Sequence, residues 1–281
     1  MKNDIELLIN TCDKYHDVLP IFFNCFKEHW ANCEYNINLN SEYKKYFVNG
    51  LNIRSHNLQT NEKNNWGYRF KKTISNINSK YIITLFDDFV LESKVDQQMI
   101  NSFFKIMEND NNIGVIYLNS ILEENKNNSL HFLKEVDELY PFRINSAPAL
   151  WRKSFLIDLI EEKDDPWSWE AFAGYKKNAR KLKVLSIFKD IKPAYDFNTS
   201  KGGAIYRGKW VEEVIMPKID KYNILINLNL RGVFKKKDLI KRSFNFKLNF
   251  LISGYRMVGF RVIFFIFYVL KKKLKSIINF F

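Results

Sequence analysis

One stretch constrains this chain more than any other: YIITLFDDF, in which the strand-length apolar run Tyr81–Phe86 ends on two adjacent carboxylates, Asp87 and Asp88. Burying such a run suits a central strand, yet two neighbouring acids at its end repel each other. A cation or a bound ligand makes the pair tolerable. Open α/β sheets bind ligands just beyond the carboxyl ends of their strands, where this pair would lie. The pattern points to a divalent metal held by carboxylate oxygens and shared with nucleotide phosphates. A dipeptide carries little information, and Asp-rich loop starts and helix caps are common, so that plainer reading stays open.

The chain of 281 residues is long enough for a sizeable core, and 46% hydrophobic with 16% aromatic content is a globular composition. The net charge of +13 suggests a nucleic-acid binder until its distribution is examined. Residues Arg231 to Phe281 hold thirteen of the 44 Lys and Arg and one of the 31 acids, leaving 31 and 30 on Met1–Leu230. The body is nearly neutral and the basicity belongs to a tail, so no nucleic-acid partner is expected. The start MKNDIELLIN carries Asp4 and Glu6 and no long apolar stretch, so a secretory signal is not expected. Three cysteines (Cys12, Cys25, Cys33) do not suit a disulfide framework and fit a reducing, cytoplasmic compartment. Cys25, His29 and Cys33 share a helical face, but a zinc site needs further ligands, and buried thiols on a core stripe are the simpler reading.

Along the chain, Ile5–Asn10 reads as a buried strand followed by the turn Thr11-Cys12-Asp13, and Val18–Ala31 as a helix. Lys45–Gly50 reads as a second strand, Arg54–Asn65 as loop, and Trp66–Ile77 as a helix leading into the Tyr81 strand. A helix over Val95–Glu108, a strand at Ile113–Asn119 and a polar insertion over Ser120–Tyr140 follow. Strand character resumes over Phe142–Trp151, then a helix over Lys153–Glu161, a turn at Asp164–Glu170, a helix near Ala171–Lys181 and a strand at Val184–Phe188. Asn198–Trp210 is a Gly-rich basic loop. Strands alternating with helices predict a mostly parallel sheet flanked by helices. In the tail, Val262–Leu270 is apolar on all sides, about half the roughly 20 residues that span a bilayer, and is flanked by Arg256, Arg261 and Lys271–Lys275. This fits a basic amphipathic helix lying on an anionic membrane surface, with a buried terminal helix as the alternative.

Taken in order, YIITLFDDF, SAPALWRKSFL (Ser146–Leu156), PWSWE (Pro166–Glu170) and KGGAIYRGKW (Lys201–Trp210) resemble the GT-A class of nucleotide-sugar-dependent glycosyltransferases. The likeness is strongest to bacterial enzymes that build surface polysaccharides such as capsule, O-antigen and lipooligosaccharide. It spans Ile5 to near Trp210 and implies a GT-A-like, Rossmann-type α/β domain over residues 1–230, with the membrane-associating tail at 231–281. It also implies a UDP- or similar sugar as donor, Mn²⁺ or Mg²⁺ as cofactor, and hexosyl transfer. By the same resemblance Thr11 and Asp13 hold the base and ribose, Asp88 the metal, and Asp87 the ribose or the metal's other side. The family's motif is commonly Asp-any-Asp; here the acids are adjacent and Phe89 stands where the second would fall.

Inverting transfer needs a carboxylate to take the acceptor's proton, and Glu170 is the candidate, with Trp167 and Trp169 as apolar walls for sugar rings. The same residues would equally suit a helix N-terminus with two core tryptophans. Lys201, Arg207 and Lys209, set among Gly202, Gly203 and Gly208, would neutralise the departing diphosphate, or form a mobile basic loop. No histidine follows His131, whereas many members of the family use one here. The expected activity is sugar transfer onto a polyprenyl- or lipid-linked glycan at the inner face of the cell membrane. Nucleotidyl or phosphoryl transfer on the same fold, and a non-enzymatic membrane or nucleic-acid binder, are the alternatives.

Overall fold

A computed structural model of the chain describes residues 4–58, 66–123, 125–126, 132–235 and 242–278. Eight strands form the main sheet: β1 (Ile5–Asn10), β2 (Ile37–Asn40), β3 (Ile53–Ser55), β4 (Tyr81–Phe86), β5 (Ile113–Tyr117), β6 (Leu133–Glu135), β7 (Ala149–Arg152) and β8 (Lys183–Ile187). Their order is β3-β2-β1-β4-β7-β5-β8-β6. Only β6 and β7 run against the rest, so the sheet is mostly parallel as expected. Alternate residues of each strand face opposite sides. Ile5, Leu7, Ile9, Tyr81, Ile83 and Leu85 face a core completed by α1 (Leu19–His29), α3 (Gln97–Asn109) and α6 (Glu212–Tyr222). Leu8 and Ile82 face a second core with α2 (Trp66–Asn76), α4 (Lys153–Leu159) and Trp169 of α5 (Pro166–Phe172). Burial on both faces is why β1 and β4 read as continuous apolar runs.

The register of β1 on β4 positions the site. Asn10 lies opposite Phe86, and the Asp87 amide donates to the Asn10 carbonyl at 3.2 Å, so Thr11 and Asp87 leave the sheet side by side.

The expected strand at Lys45–Gly50 does not form; Phe47 is 81% exposed, and the segment is coil and turn. The strand at this position in the sheet is β2, INLN, whose asparagines are buried because their amides are used. Asn40 Nδ2 donates to Asn10 Oδ1 at 2.9 Å and Asn40 Oδ1 accepts from Thr73 Oγ1 at 3.2 Å. Likewise Asp164–Glu170 is not a turn before a helix. Asp165 caps α5, accepting from the Trp167 and Ser168 amides, and Pro166 occupies the first turn, where its missing N–H costs nothing. The Gly-rich segment carries a two-stranded hairpin, β9 (Ile205–Tyr206) with β10 (Lys209–Trp210), and α6 follows it. Within the polar insertion, β6 pairs with β8; residues 124 and 127–131 of it lie outside the described residues.

The tail is helical: α7 (Phe244–Val258) and α8 (Val262–Ile278). Phe250 and Phe265 have ring centroids 5.8 Å apart, whereas a straight helix would separate their backbones by about 22 Å. The chain therefore bends back at Gly259, whose φ of 60° is left-handed. Residues Phe244–Lys272 are long and apolar enough to cross a membrane. Between body and helices, Arg231 and Val233 stay with the body, Trp210 bonding the backbone of Gly232 and Phe234 at 2.9 and 2.8 Å.

Replacing Asn40 with Leu would leave the buried Asn10 amide without its partner. The expected loss is about 1–3 kcal/mol in denaturant unfolding, with a larger effect than Asn52→Leu at the exposed position just before β3.

Candidate active site

The carboxyl ends of β1, β2 and β4 converge on the acid pair. Asp87 is 5% exposed and its Oδ2 accepts from Thr11 Oγ1 at 2.5 Å. Burial, then the neighbouring Asp88, pushes the Asp87 carboxyl well above the usual carboxylate range, against the easing effects of the Thr11 bond and the Arg231 guanidinium. Asp88 keeps a partly exposed surface but sits deep among surrounding atoms, and burial pushes it up to about 7; its own backbone amide opposes the shift and Glu170 adds to it. Burial of the charged form dominates in both.

The Gly-rich hairpin closes on this pair through its glycine. Ala204 N donates to the Asp88 carbonyl at 2.8 Å, and a Cβ at Gly203 (φ +96°) would fall 2.6 Å from that same oxygen. Only glycine lets the hairpin approach so closely.

Glu170 joins the acids from α5. Its Oε1 accepts from Ser146 Oγ at 2.7 Å and more weakly from Ser146 N at 3.4 Å, and its charge is felt at Asp88. Glu170 and Asp88, far apart in sequence, thus lie near enough for their charges to interact. Trp167, 57% exposed on the same helix, stands beside it with the Arg242 guanidinium 5.9 Å from its ring. Trp169 does not: it is 2% exposed, donates Nε1 to the Leu159 carbonyl, and packs against Trp66, Phe70 and Trp151. The expectation that Trp169 walls a sugar site is therefore corrected, since successive residues of a helix point about 100° apart. Asp164, just before α5, is buried and paired with Lys176 at 2.9 Å.

Thr11 and Asp13 order the loops. Asp13 Oδ1 accepts from the Tyr43 and Lys44 amides at 3.2 and 3.1 Å, tying the end of β1 to the loop after β2. Between these loops, three buried polar atoms have no partner: Asn10 Nδ2, Ser41 Oγ and Arg69 Nε. Arg69 also pairs with Glu42 at 3.1 Å. Buried polar atoms without a partner call for water or another group, and these three lie at the ends of β1 and β2 and on α2.

Of the cations expected to meet a diphosphate, Lys201 pairs at the surface with Glu213 at 2.5 Å, as a long exposed side chain does with a nearby carboxylate. Arg207 is exposed on the hairpin with φ 52°, over the Tyr206 ring, and Lys209 is half-buried on β10. A cation whose field reaches Asp87 is Arg231, which the sequence reading assigns to the tail. Its guanidinium lies 4.5 Å from the Tyr15 ring and 5.1 Å from the Trp210 ring. It ion-pairs with Asp17 and donates to the Lys14 carbonyl at 2.8 Å.

A divalent cation suits the acid pair chemically. Two buried carboxylates raised by desolvation and mutual repulsion are hard oxygen donors, and a metal would relieve both costs. Among the described residues no group of three or more His, Cys, Asp or Glu is arranged to hold a metal. The ion would therefore need oxygens from a ligand, as Mg²⁺ commonly does with substrate phosphates.

No protein-family model matches the chain, and no curated protein matches it. Solved structures similar to it include S. aureus TarS 1–349 (TM-score 0.49, 11% identity, over 92% of this chain and 82% of that one). The same protein in complex with UDP-GlcNAc gives 0.46 at 11% identity over the same shares. Bifunctional IspDF from Campylobacter jejuni gives 0.40 at 11%, over 70% of this chain and 52% of that one. At such identities and scores these likenesses carry no inference about substrate or activity.

The raised Asp88 pKa has a testable sign. Between the unfolded value of 3.8 and about 7 the native protein binds more protons than the unfolded chain, so this group's stabilisation is full below about pH 4 and is lost as pH rises through 7. With a chelator present, Asp88→Asn should match the wild type near pH 4 and unfold at a higher temperature at pH 8. Parallel thermal-unfolding curves across that range would refute the assignment.

Proposed function

We propose that the protein is a glycosyltransferase that moves a sugar from a nucleoside-diphosphate donor onto an acceptor hydroxyl with inversion. The observation that carries this reading is the acid pair at the carboxyl end of β4, with Thr11 bonded to Asp87, the Gly203–Ala204 backbone closed on Asp88, and Glu170, held by Ser146, near enough for its charge to act on Asp88. A pair alone would serve many phosphate reactions. A third carboxylate, on a separate helix beside an exposed tryptophan, supplies the base that sugar transfer needs.

In this reading the nucleoside lies against the loops that follow β1 and β2, which Asp13 ties together through the Tyr43 and Lys44 amides. Asp87 and Asp88 hold Mn²⁺ or Mg²⁺, which when bound would neutralise charge on the donor's diphosphate. Arg231 adds positive field from the side of Tyr15 and Trp210, and Arg207 and Lys209 stand on the hairpin that covers the diphosphate. Glu170, held through Oε1 by Ser146, takes the acceptor's proton as the hydroxyl attacks the anomeric carbon. Trp167 offers its ring to the acceptor sugar.

The tail gives the acceptor a location. Phe244, Tyr255, Phe260, Phe267 and Leu274 are at least half exposed, interspersed with exposed Arg256, Lys271 and Lys272. Apolar faces flanked by cations bind anionic bilayer surfaces. The reading therefore places the enzyme as a peripheral protein on the cytoplasmic face of the cell membrane, acting on a lipid-linked glycan of a surface polysaccharide.

Calorimetric titration with UDP, GDP, CDP and dTDP, with and without Mn²⁺, should give metal-dependent binding of one diphosphate, abolished by Asp88→Ala. Silence across all four would overturn the reading. Glu170→Gln should keep that binding while turnover falls by roughly two or more orders of magnitude. Turnover near wild type would place the base elsewhere.

A further inference from the structure

The helix that carries Glu170 is too short to hold itself. Seven residues lie well below the length at which a helix persists in water, so the direction of α5 is set by its packing. Two side chains anchor it. Trp169 enters the core of the body, and Phe172, 0% exposed, points to the tail. Its ring lies 4.9 Å from Phe250 of α7 and 5.0 Å from Phe265 of α8. Ala171, Phe172 and Tyr175 form a small core of their own, and every partly buried hydrophobic residue packed against it comes from the tail.

Gly254 makes the contact possible. An added Cβ there would fall 2.6 to 2.8 Å from three atoms of the Phe172 ring, so even alanine would push the ring or the helix away. Farther along, Arg261 Nη1 donates to the Tyr175 carbonyl at 3.2 Å, holding the same surface.

We infer that Phe172 and Gly254 are a positioning pair: the tail clamps α5 so that Glu170, two residues earlier, stays on Ser146 and beside the acid pair. The tail is then a working part of the active site as well as a membrane contact. The inference rests on the glycosyltransferase reading for its consequence, and on packing alone for the clamp. A misplacement of about 1 Å in a catalytic group costs on the order of a hundredfold in rate, so a small tilt of α5 is enough to matter.

The test uses the full chain with Gly254→Ala, Phe172→Leu, and both together. Turnover is read as nucleoside diphosphate released from UDP-, GDP-, CDP- and dTDP-glucose, donor binding as calorimetric affinity for the matching diphosphate with Mn²⁺. Binding to phosphatidylglycerol vesicles reports the membrane face. For Gly254→Ala the expected result is a kcat lower by about ten- to a hundredfold, with diphosphate affinity and vesicle binding unchanged. The double variant, whose smaller side chain makes room for the new methyl, should recover most of that loss.

Hydrogen exchange is measured on the same proteins. Gly254→Ala should speed exchange at residues 167–172 and leave β4 unchanged. Wild-type kcat in Gly254→Ala, a kcat loss matched by lost diphosphate affinity, or no recovery in the double variant would each overturn the inference. If the wild type itself binds and cleaves none of the donors, the glycosyltransferase reading fails. The exchange data then decide the clamp alone: unchanged exchange at 167–172 overturns it.

Discussion

Placing two carboxylates next to each other at the end of a largely buried strand is electrostatically unfavourable, and the geometry around them follows from that cost. The β1–β4 register brings Thr11 to Asp87, where its hydroxyl satisfies one oxygen. Gly203 lets a hairpin close over Asp88 without a side chain in the way. Arg231, held between two aromatic rings, contributes a positive field without forming a direct ion pair that would quench the acids. The pair is left only partly compensated, which is the condition under which a cation and an anionic ligand bind together.

Glu170 adds a second layer. It comes from a separate helix, so its distance from the acid pair depends on tertiary packing rather than on strand geometry. In the glycosyltransferase reading proposed above, the strand would hold groups fixed relative to a phosphate and the helix a group that meets a second substrate. A site divided in this way binds one ligand on rigid sheet ends and the other against an element whose position the rest of the molecule sets.

Legibility in the sequence followed hydrophobic pattern closely. β1 and β4, buried on both faces, announce themselves as apolar runs, and with them Asp87 and Asp88. β2 hides because Asn38 and Asn40 look like loop residues, though each spends its amide inside the fold. Missing β2 also hid Ser41 and Glu42, and with them the ion pair that Glu42 makes with Arg69. In α5 the dense DDPWSWE composition looked like a turn, yet it is a capped, proline-started helix. Its two tryptophans point apart, which composition alone does not reveal. Arg231 was lost for another reason: net charge assigned it to the tail, while its stacking partners, Tyr15 and Trp210, sit far away in sequence. Charge counting groups residues by neighbourhood along the chain, and a fold groups them by neighbourhood in space.

The elbow at Gly259 carries a consequence for topology. The stretch from Phe244 to Lys272 has the length and apolarity to thread a bilayer, but only if it straightens. Straightening would pull Phe250 and Phe265 apart, so that at most one could stay on Phe172, opening the small core that they close together. Crossing the lipid and docking on the body are thus mutually exclusive uses of the same aromatic residues. In the docked form described here, the tail has chosen the protein over the bilayer interior.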